Sequence, residues 1–377
     1  MEQKYQKLTE AFNLLKNNPQ WQDLFIQNIL HLEKQLYQHC QQNNNADFDV
    51  REKFTDAFIA PLFEENQILS KTLNDGTKFE FLYRSKIARD FVLSEPKNPN
   101  HVWEPQTTRL LKFLVSTPLA LHGATNVIIG GAYFGDQTIL MAKANPNFTF
   151  HAFEPNNQQR QQLSKNAELN NLQNIKTCQQ GLWNNSCTKL VLTDEDSFAH
   201  AEISENSNDK NAESFSTITI NDYCKNNQIN ALSLIMLDIE GAEFNVLQGA
   251  DNFLKMSADN APNLVFEIHR SYVDWSVGLE NTDLIKFVSG FGYKLFAVRD
   301  FNSNVDLSDH RKYFIELIPL QTDKIYLEGP PHGFNVLATK NPESWIFANP
   351  ETFKIVNNVS PKLLRHRDPK IHQPIVE

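Results

Sequence analysis

Val127-Ile128-Ile129-Gly130-Gly131-Ala132-Tyr133-Phe134-Gly135-Asp136-Gln137-Thr138 is the stretch on which the reading of this chain turns. The apolar run Val127-Ile128-Ile129 reads as a buried strand, and Gly130 to Gly135 as the turn that leaves it. Asp136 is placed to cap a helix over 137–144. A second short strand, over 148–153, then ends on Glu154-Pro155. Glycines let the backbone bend sharply and let a ligand approach where a side chain would collide. The acid follows the turn by about 20 residues, the distance at which a carboxylate meets the hydroxyls of a bound ribose. Strand, glycine turn, helix, strand and acid together imply a nucleoside-bearing cofactor at the carboxyl edge of a parallel sheet. A dinucleotide site would read G-x-G-x-x-G where this turn reads G-G-A-Y-F-G, which counts against a nicotinamide-dependent oxidoreductase. The plain alternative is a tight strand-to-helix connection that binds nothing.

Downstream, the alternation continues. Residues 158–170 read as a helix, and 174–179 and 190–193 as strands. The polar stretch 194–214 cannot bury enough surface to fold alone and reads as a long surface loop. A strand over 216–220 follows, and Asn221 is placed to cap a helix over 222–226. Leu232-Ser233-Leu234-Ile235-Met236-Leu237 is nearly unbroken apolar sequence, as a strand covered on both faces requires. It stops at Asp238-Ile239-Glu240-Gly241-Ala242-Glu243, with a helix over 244–254. Leu264-Val265-Phe266 is another central strand, ending on Glu267-Ile268-His269. A helix over 284–291 and strands over 293–298 and 313–318 complete the pattern, the last of these read as the final strand. Such alternation specifies an open parallel sheet with helices on both faces.

The acids carry the functional reading. Glu154, Asp238, Glu240 and Glu267 each follow a strand that reads as buried, and ligands collect outside the carboxyl ends of such strands. Acids are common at helix starts because the helix dipole favours them; that accounts for Glu240 or Glu243 but not for Glu154 or Glu267. Clustered carboxylates also suit magnesium or manganese, yet nothing in the sequence aims several at one point, so no metal is expected. His269 is either a base near working pH or a hydrogen-bonded histidine at a strand end.

The flanks are separate matter. Residues 1–62 show helical spacing at Leu8, Phe12 and Leu15 and again from Leu24 to Leu36, and residues 68–83 form a hairpin around Asn74-Asp75-Gly76. Residues 96–100 read as a linker, and Thr107 or Thr108 starts a helix over 109–114. The expected organisation is a helical and hairpin extension over 1–95, the main domain over 96–340 and a tail over 341–377. A net charge of -10 opposes nonspecific binding to nucleic acid or anionic membrane, and no apolar run approaches the length of about 20 residues that spans a bilayer. The four cysteines are scattered, without metal-ligand or disulfide spacing. A cytoplasmic, cofactor-using enzyme is the class that remains, with no nucleic-acid partner, no membrane insertion and a homo-oligomer allowed.

Set side by side, GGAYFGDQT at Gly130 to Thr138, HAFEPN at His151 to Asn156, KNAELNN at Lys165 to Asn171, LDIEGAEFNVLQGA at Leu237 to Ala250 and FEIH at Phe266 to His269 resemble the FkbM family of S-adenosylmethionine-dependent methyltransferases. The pieces stand in family order over about residues 120 to 300, and the D-x-E-G-A-E block is the most specific. The resemblance implies a Rossmann-like methyltransferase fold, a seven-stranded, mostly parallel sheet with the last strand antiparallel. It implies S-adenosylmethionine as cofactor and methyl transfer to a hydroxyl of a glycan or natural-product-like small molecule. It further implies Gly130, Gly131, Ala132, Tyr133, Gly135 and Glu154 at the cofactor, Asp238 at both cofactor and acceptor, and Glu240, Glu267 and His269 at the acceptor. Two positions depart from the family pattern. Ile129 replaces an acid before the glycine turn, and Met236 replaces a lysine two residues before Asp238. Lost turnover, leaving a noncatalytic binding module, is the alternative those departures suggest.

Overall fold

In the computed structural model the described residues are 2–42, 50–64, 67–82, 102–117, 123–193, 200–203, 214–269, 272–274, 278–300, 313–320 and 333–356. The linker expected over 96–100 and residues 357–377 lie outside them. Among the described residues no helix is long and apolar enough to cross a membrane.

The chain opens with helices α1 (Glu2–Lys16), α2 (Pro19–Gln42) and α3 (Asp56–Ile59), then the antiparallel hairpin β1 (Ile68–Thr72) and β2 (Lys78–Leu82). Gly76, at φ 79°, makes the hairpin turn where Asp75 Oδ1 accepts the Thr77 N–H at 3.0 Å. Helix α4 (Pro105–Ser116) leads to β3 (Asn126–Gly130), α5 (Thr138–Ala144), β4 (Thr149–Phe153), α6 (Asn157–Leu169) and β5 (Ile175–Cys178). Strands β6 (Gly181–Leu182), β7 (Lys189–Thr193), β8 (His200–Ile203) and β9 (Ser214–Ile218) form a separate small sheet in the order β6-β9-β7-β8. Then come α7 (Ile220–Asn226), β10 (Leu234–Leu237), α8 (Glu243–Gln248), α9 (Asp251–Leu254), β11 (Asn263–Ile268), α10 (Asp283–Gly290), β12 (Lys294–Val298), β13 (Ile315–Pro319), β14 (Phe334–Thr339), α11 (Pro342–Trp345) and β15 (Phe353–Ile355).

The central sheet runs β15-β13-β12-β14-β11-β10-β3-β4-β5. Strands β5, β4, β3, β10 and β11 are mutually parallel. Strand β14 enters antiparallel between β11 and β12, so the unit from β5 to β12 has the seven strands expected, with its last in sequence reversed. The sheet does not stop there. Strand β13 pairs antiparallel with β12, and β15 pairs parallel with β13, giving nine strands. The strand expected to be final is therefore followed by two more, one of them in the stretch read as a tail.

Side chains alternate between two cores, as the two-residue period of a strand dictates. Val127 and Ile129 join the cluster under α4, α5 and α6, whereas Ile128 joins the cluster under α7 to α10. This two-faced burial is why β3 and β10 read as continuous apolar runs.

Several local expectations shift. Helix α4 begins earlier than read, at Pro105, whose fixed φ and missing N–H suit the first helical position. Gln137, not Asp136, occupies the cap position of α5, without a side-chain cap bond. Thr219, not Asn221, caps α7, its Oγ1 accepting the Asp222 N–H at 2.9 Å. The helix expected over 244–254 is two, α8 and α9, parted at Gly249-Ala250, where the Gly249 carbonyl accepts the Asn221 N–H. The polar stretch read as one loop contains β8, paired antiparallel with β7. Ser214 opens β9, and the other residues of the stretch lie outside those described.

Candidate active site

The glycine turn is set by contacts within the chain. Gly131 N and Ala132 N donate to the Phe153 carbonyl at 3.1 and 3.0 Å, tying the end of β3 to the end of β4. Gly131 takes φ 73°, and a Cβ there would stand 1.8 Å from the Asp238 carbonyl oxygen. No other residue fits, because both the backbone conformation and the neighbouring main chain forbid a side chain. Tyr133 adopts φ 48° and turns its N–H onto Glu154 Oε2 at 2.9 Å. Glu154 Oε1 accepts the Asn156 N–H at 2.9 Å. The carboxylate is 5 % exposed, and burial pushes its pKa up to about 7 against the pull of those two amides.

Two strands along, Asp238 N donates to the Gly130 carbonyl at 3.1 Å, which seats the D-x-E-G-A-E block against the glycine turn. The block itself turns through Glu240 at φ 51° and Gly241 at φ 100°. Helix α8 then starts without a side-chain cap, so Asp238 does not cap it. The acid that closes this turn is Glu243, buried, whose Oε1 accepts the Ile239 N–H at 3.0 Å and whose pKa burial pushes up to about 8.

Asp238, Glu240 and Glu267 each bring one carboxylate oxygen within 4.8 Å of the others, and all three are partly exposed. Strand-end placement in the sequence puts these acids at one edge, and the parallel register of β10 and β11 sets Glu267 beside Asp238 and Glu240, while Glu154 is not in the trio. Burial, then Asp238 and Glu240, drive the Glu267 pKa well above the carboxylate range. His269 stands outside this trio, its ring 5.3 Å from that of Tyr272.

Three further acids act at the same edge: Glu104 and Asp300, from segments without a functional signal in the sequence, and Asp136, whose place in the sequence suggests only a cap. Glu104, at φ 42° and ψ 68°, immediately precedes α4 and is 9 % exposed. Its Oε2 accepts from Gln137 Nε2 at 3.2 Å and from Asn335 Nδ2 at 2.7 Å. Asn335 lies directly opposite Glu267 in the β11–β14 ladder. Burial, then Asp238 and Asp300, raise the Glu104 pKa well above its usual value. Burial and Asp238 take Asp136 to about 7. Asp300, pushed to about 6 by burial, accepts the first N–H groups of α4 from Gln106 at 3.2 Å and Thr107 at 3.0 Å. Only a Glu-Pro pair at a helix start marks Glu104 in the sequence, and that pair is common.

The two departures from the family pattern prove to be one. Ile129 and Met236 are register partners on β3 and β10, and both are buried in the same core. An acid and a lysine at these positions would stand side by side, and an apolar pair replaces both charges together, which a core tolerates well.

This edge suits a cationic nucleoside. The Glu154 oxygens each keep a lone pair for a ribose hydroxyl, and Gln137 Oε1 is buried with no partner. A glycine turn, an acid at the end of the neighbouring strand and this sheet order form a Rossmann-like edge of the kind that takes a nucleoside-bearing cofactor. Residues 130–295, somewhat under half of the chain, match the methyltransferase FkbM domain. No curated protein matches the chain. Similar solved structures include an O-methyltransferase from Bacillus cereus in complex with SAH, at 11 % identity over 63 % of this chain and 82 % of that one, with a TM-score of 0.34. The O-methyltransferase TomG from Streptomyces achromogenes matches at 10 % identity over 68 % and 86 %, TM-score 0.34. A SAM-dependent methyltransferase from Agrobacterium tumefaciens matches at 10 % identity over 74 % and 72 %, TM-score 0.38.

Proposed function

We propose that this methyltransferase acts on a hydroxyl of a glycan or natural-product-like small molecule. The observation that carries the reading is the meeting of Asp238, Glu240 and Glu267 within 4.8 Å, beside the glycine turn. S-adenosylmethionine supplies an electrophilic methyl group on a sulfonium. Glu154 holds the ribose, while Gly130, Gly131, Ala132, Tyr133 and Gly135 shape the floor on which the cofactor lies. Catalysis of an in-line displacement is mainly alignment plus removal of the hydroxyl proton. Asp238 receives that proton in this reading, supported by its main chain abutting the glycine turn and its carboxylate standing with Glu240 and Glu267. Glu240 and Glu267 orient the acceptor. His269, beyond the trio, borders the acceptor together with Tyr272.

The test is Asp238→Asn, which keeps shape and removes charge. With labelled methyl donor and a panel of sugar and phenolic hydroxyls, turnover is expected to fall about 10²-fold or more, the scale of losing a general base. Binding of S-adenosylhomocysteine is expected to persist. Wild-type turnover in the variant would return Asp238 to the scaffold and leave Glu267 and His269 as the bases to examine.

A further inference from the structure

Among the described residues, one buried acceptor without a donor, Gln137 Oε1, stands beside the buried carboxylate of Glu104 at the start of α4. Gln137 is 5 % exposed; its Nε2 donates to Glu104, and its Oε1, on the same amide carbon, has no partner. Exchanging the amide ends would set an oxygen against the carboxylate, so the orientation stands. Asp238, Asp300 and Asp136 all act on Glu104 electrostatically, so the carboxylate that accepts the Gln137 amide lies in a field of negative charge. Strand β3 adds no charge, because Ile129 is buried in the core. An unpaired buried acceptor is costly, and a cation with several N–H groups would satisfy Gln137 Oε1 and Glu104 together.

We propose that Glu104, with Gln137 Oε1 and Asp136, is the anchor for the ammonium group of the cofactor's amino-acid end. This rests on the S-adenosylmethionine reading above. Glu104 lies outside the matched domain, so the upstream α4 segment would complete the cofactor site rather than merely pack on it. Position supports the assignment. Glu154 closes β4 and Asp238 follows β10, with β3 between them. Two strand spacings span about 10 Å, within the reach of a chain that leaves a ribose and ends in an amino acid. An ammonium offers three donors, enough for Glu104, Gln137 Oε1 and one neighbour.

Calorimetric titration of the full chain with two ligands tests this. S-adenosylhomocysteine carries the amino acid; 5′-methylthioadenosine has the same nucleoside and sulfur without it. Wild type is expected to prefer the former, and Glu104→Gln to lose about tenfold or more of its affinity for it, the worth of a charge-assisted hydrogen bond. Affinity for 5′-methylthioadenosine is expected to stay unchanged. Wild-type affinity for both ligands in a variant of normal melting temperature overturns the proposal, as does equal loss of both. Should Glu104→Gln not fold, Gln137→Met removes the orphaned oxygen at similar volume, and absence of a selective loss there overturns it equally. A parallel titration with magnesium or manganese chloride also decides: tight metal binding abolished by Glu104→Gln would make this a metal site and sink the proposal. Wild type that binds neither nucleoside defeats the cofactor reading itself, whereas equal affinity for the two defeats only the anchor.

Discussion

In the proposed reading Glu154 serves structure and ligand together. It faces the ligand edge, but its oxygens already hold the Tyr133 and Asn156 amides, so it also fixes the turn. Glu154→Ala is therefore expected to do two things. It strands two backbone donors, lowering stability by about 1–3 kcal/mol for each that water does not reach, which a denaturant titration reads. It also weakens S-adenosylhomocysteine binding, which calorimetry reads; unchanged affinity would remove Glu154 from the ribose. Gly131 gives a sharper case. Any Cβ there collides with the Asp238 carbonyl, so Gly131→Ala must spread β3 from β10. The expected outcome is loss of cofactor binding together with a lower melting temperature, and a variant that retains both would show the close approach to be dispensable.

At the scale of elements, the asparagines of KNAELNN tie the upstream hairpin to the sheet. Asn166, buried on α6, accepts the Glu80 N–H at 2.8 Å and donates to the carbonyls of Glu80 at 3.0 Å and Phe134 at 2.8 Å. Asn170 repeats the arrangement one turn on, with Lys78. The hairpin is thus held by its main chain as though by another strand. Asn166→Leu keeps the volume and leaves three backbone groups unpaired, for an expected loss of about 2–4 kcal/mol. Proteolysis or hydrogen exchange localised to 67–82 is the readout; uniform protection there would refute the tie. Arg299 and Glu316 hold the added strand in a comparable way, as a buried ion pair of 2.5 Å between the end of β12 and β13. Glu316→Ala leaves the guanidinium uncompensated and is expected to cost about 3–5 kcal/mol, measured by chemical unfolding.

For the whole molecule, the acid-rich edge predicts an unusual dependence of stability on pH. Glu104, Asp136, Glu154, Glu243, Glu267 and Asp300 all have folded pKa values above their ordinary ones, with burial the first cause of each. Between the ordinary value and the raised one, only the folded chain holds the proton, so stability falls as pH rises through that interval. His151 acts oppositely, its pKa lowered by burial to about 4, but its contribution is complete above its ordinary value of 6.5. Lys71, lowered by burial to about 7, also opposes them above that pH, but from pH 6.5 to 8 the more numerous carboxylates dominate, each proton tilting stability by about 1.4 kcal/mol per pH unit. The melting temperature of the ligand-free protein is expected to drop across this range, and S-adenosylhomocysteine to flatten the drop. A melting temperature that rises from pH 6.5 to 8 would contradict the charge arrangement.

What the amino-acid sequence determined by itself was local and periodic. Two-faced apolar runs specified β3, β10 and β11, the glycine turn specified the bend after β3, and the positions of Glu154, Asp238 and Glu267 at strand ends marked the edge where a ligand would lie. These follow from nearest neighbours along the chain, and so does the FkbM resemblance. What only the tertiary structure decided depends on distance through space. Glu104, Asp300 and Asn335 come from segments whose own patterns say nothing of ligands, and Asn335 meets Glu104 across 231 positions of sequence. Strands β14 and β15 escaped: β15 is a three-residue edge strand with too little length to show a period, and β14 takes its place inside the sheet only through pairing with β11 and β12. Ile129 and Met236 look like two losses in one dimension and are a single packed pair in three, since register, which no single strand contains, sets which residues touch.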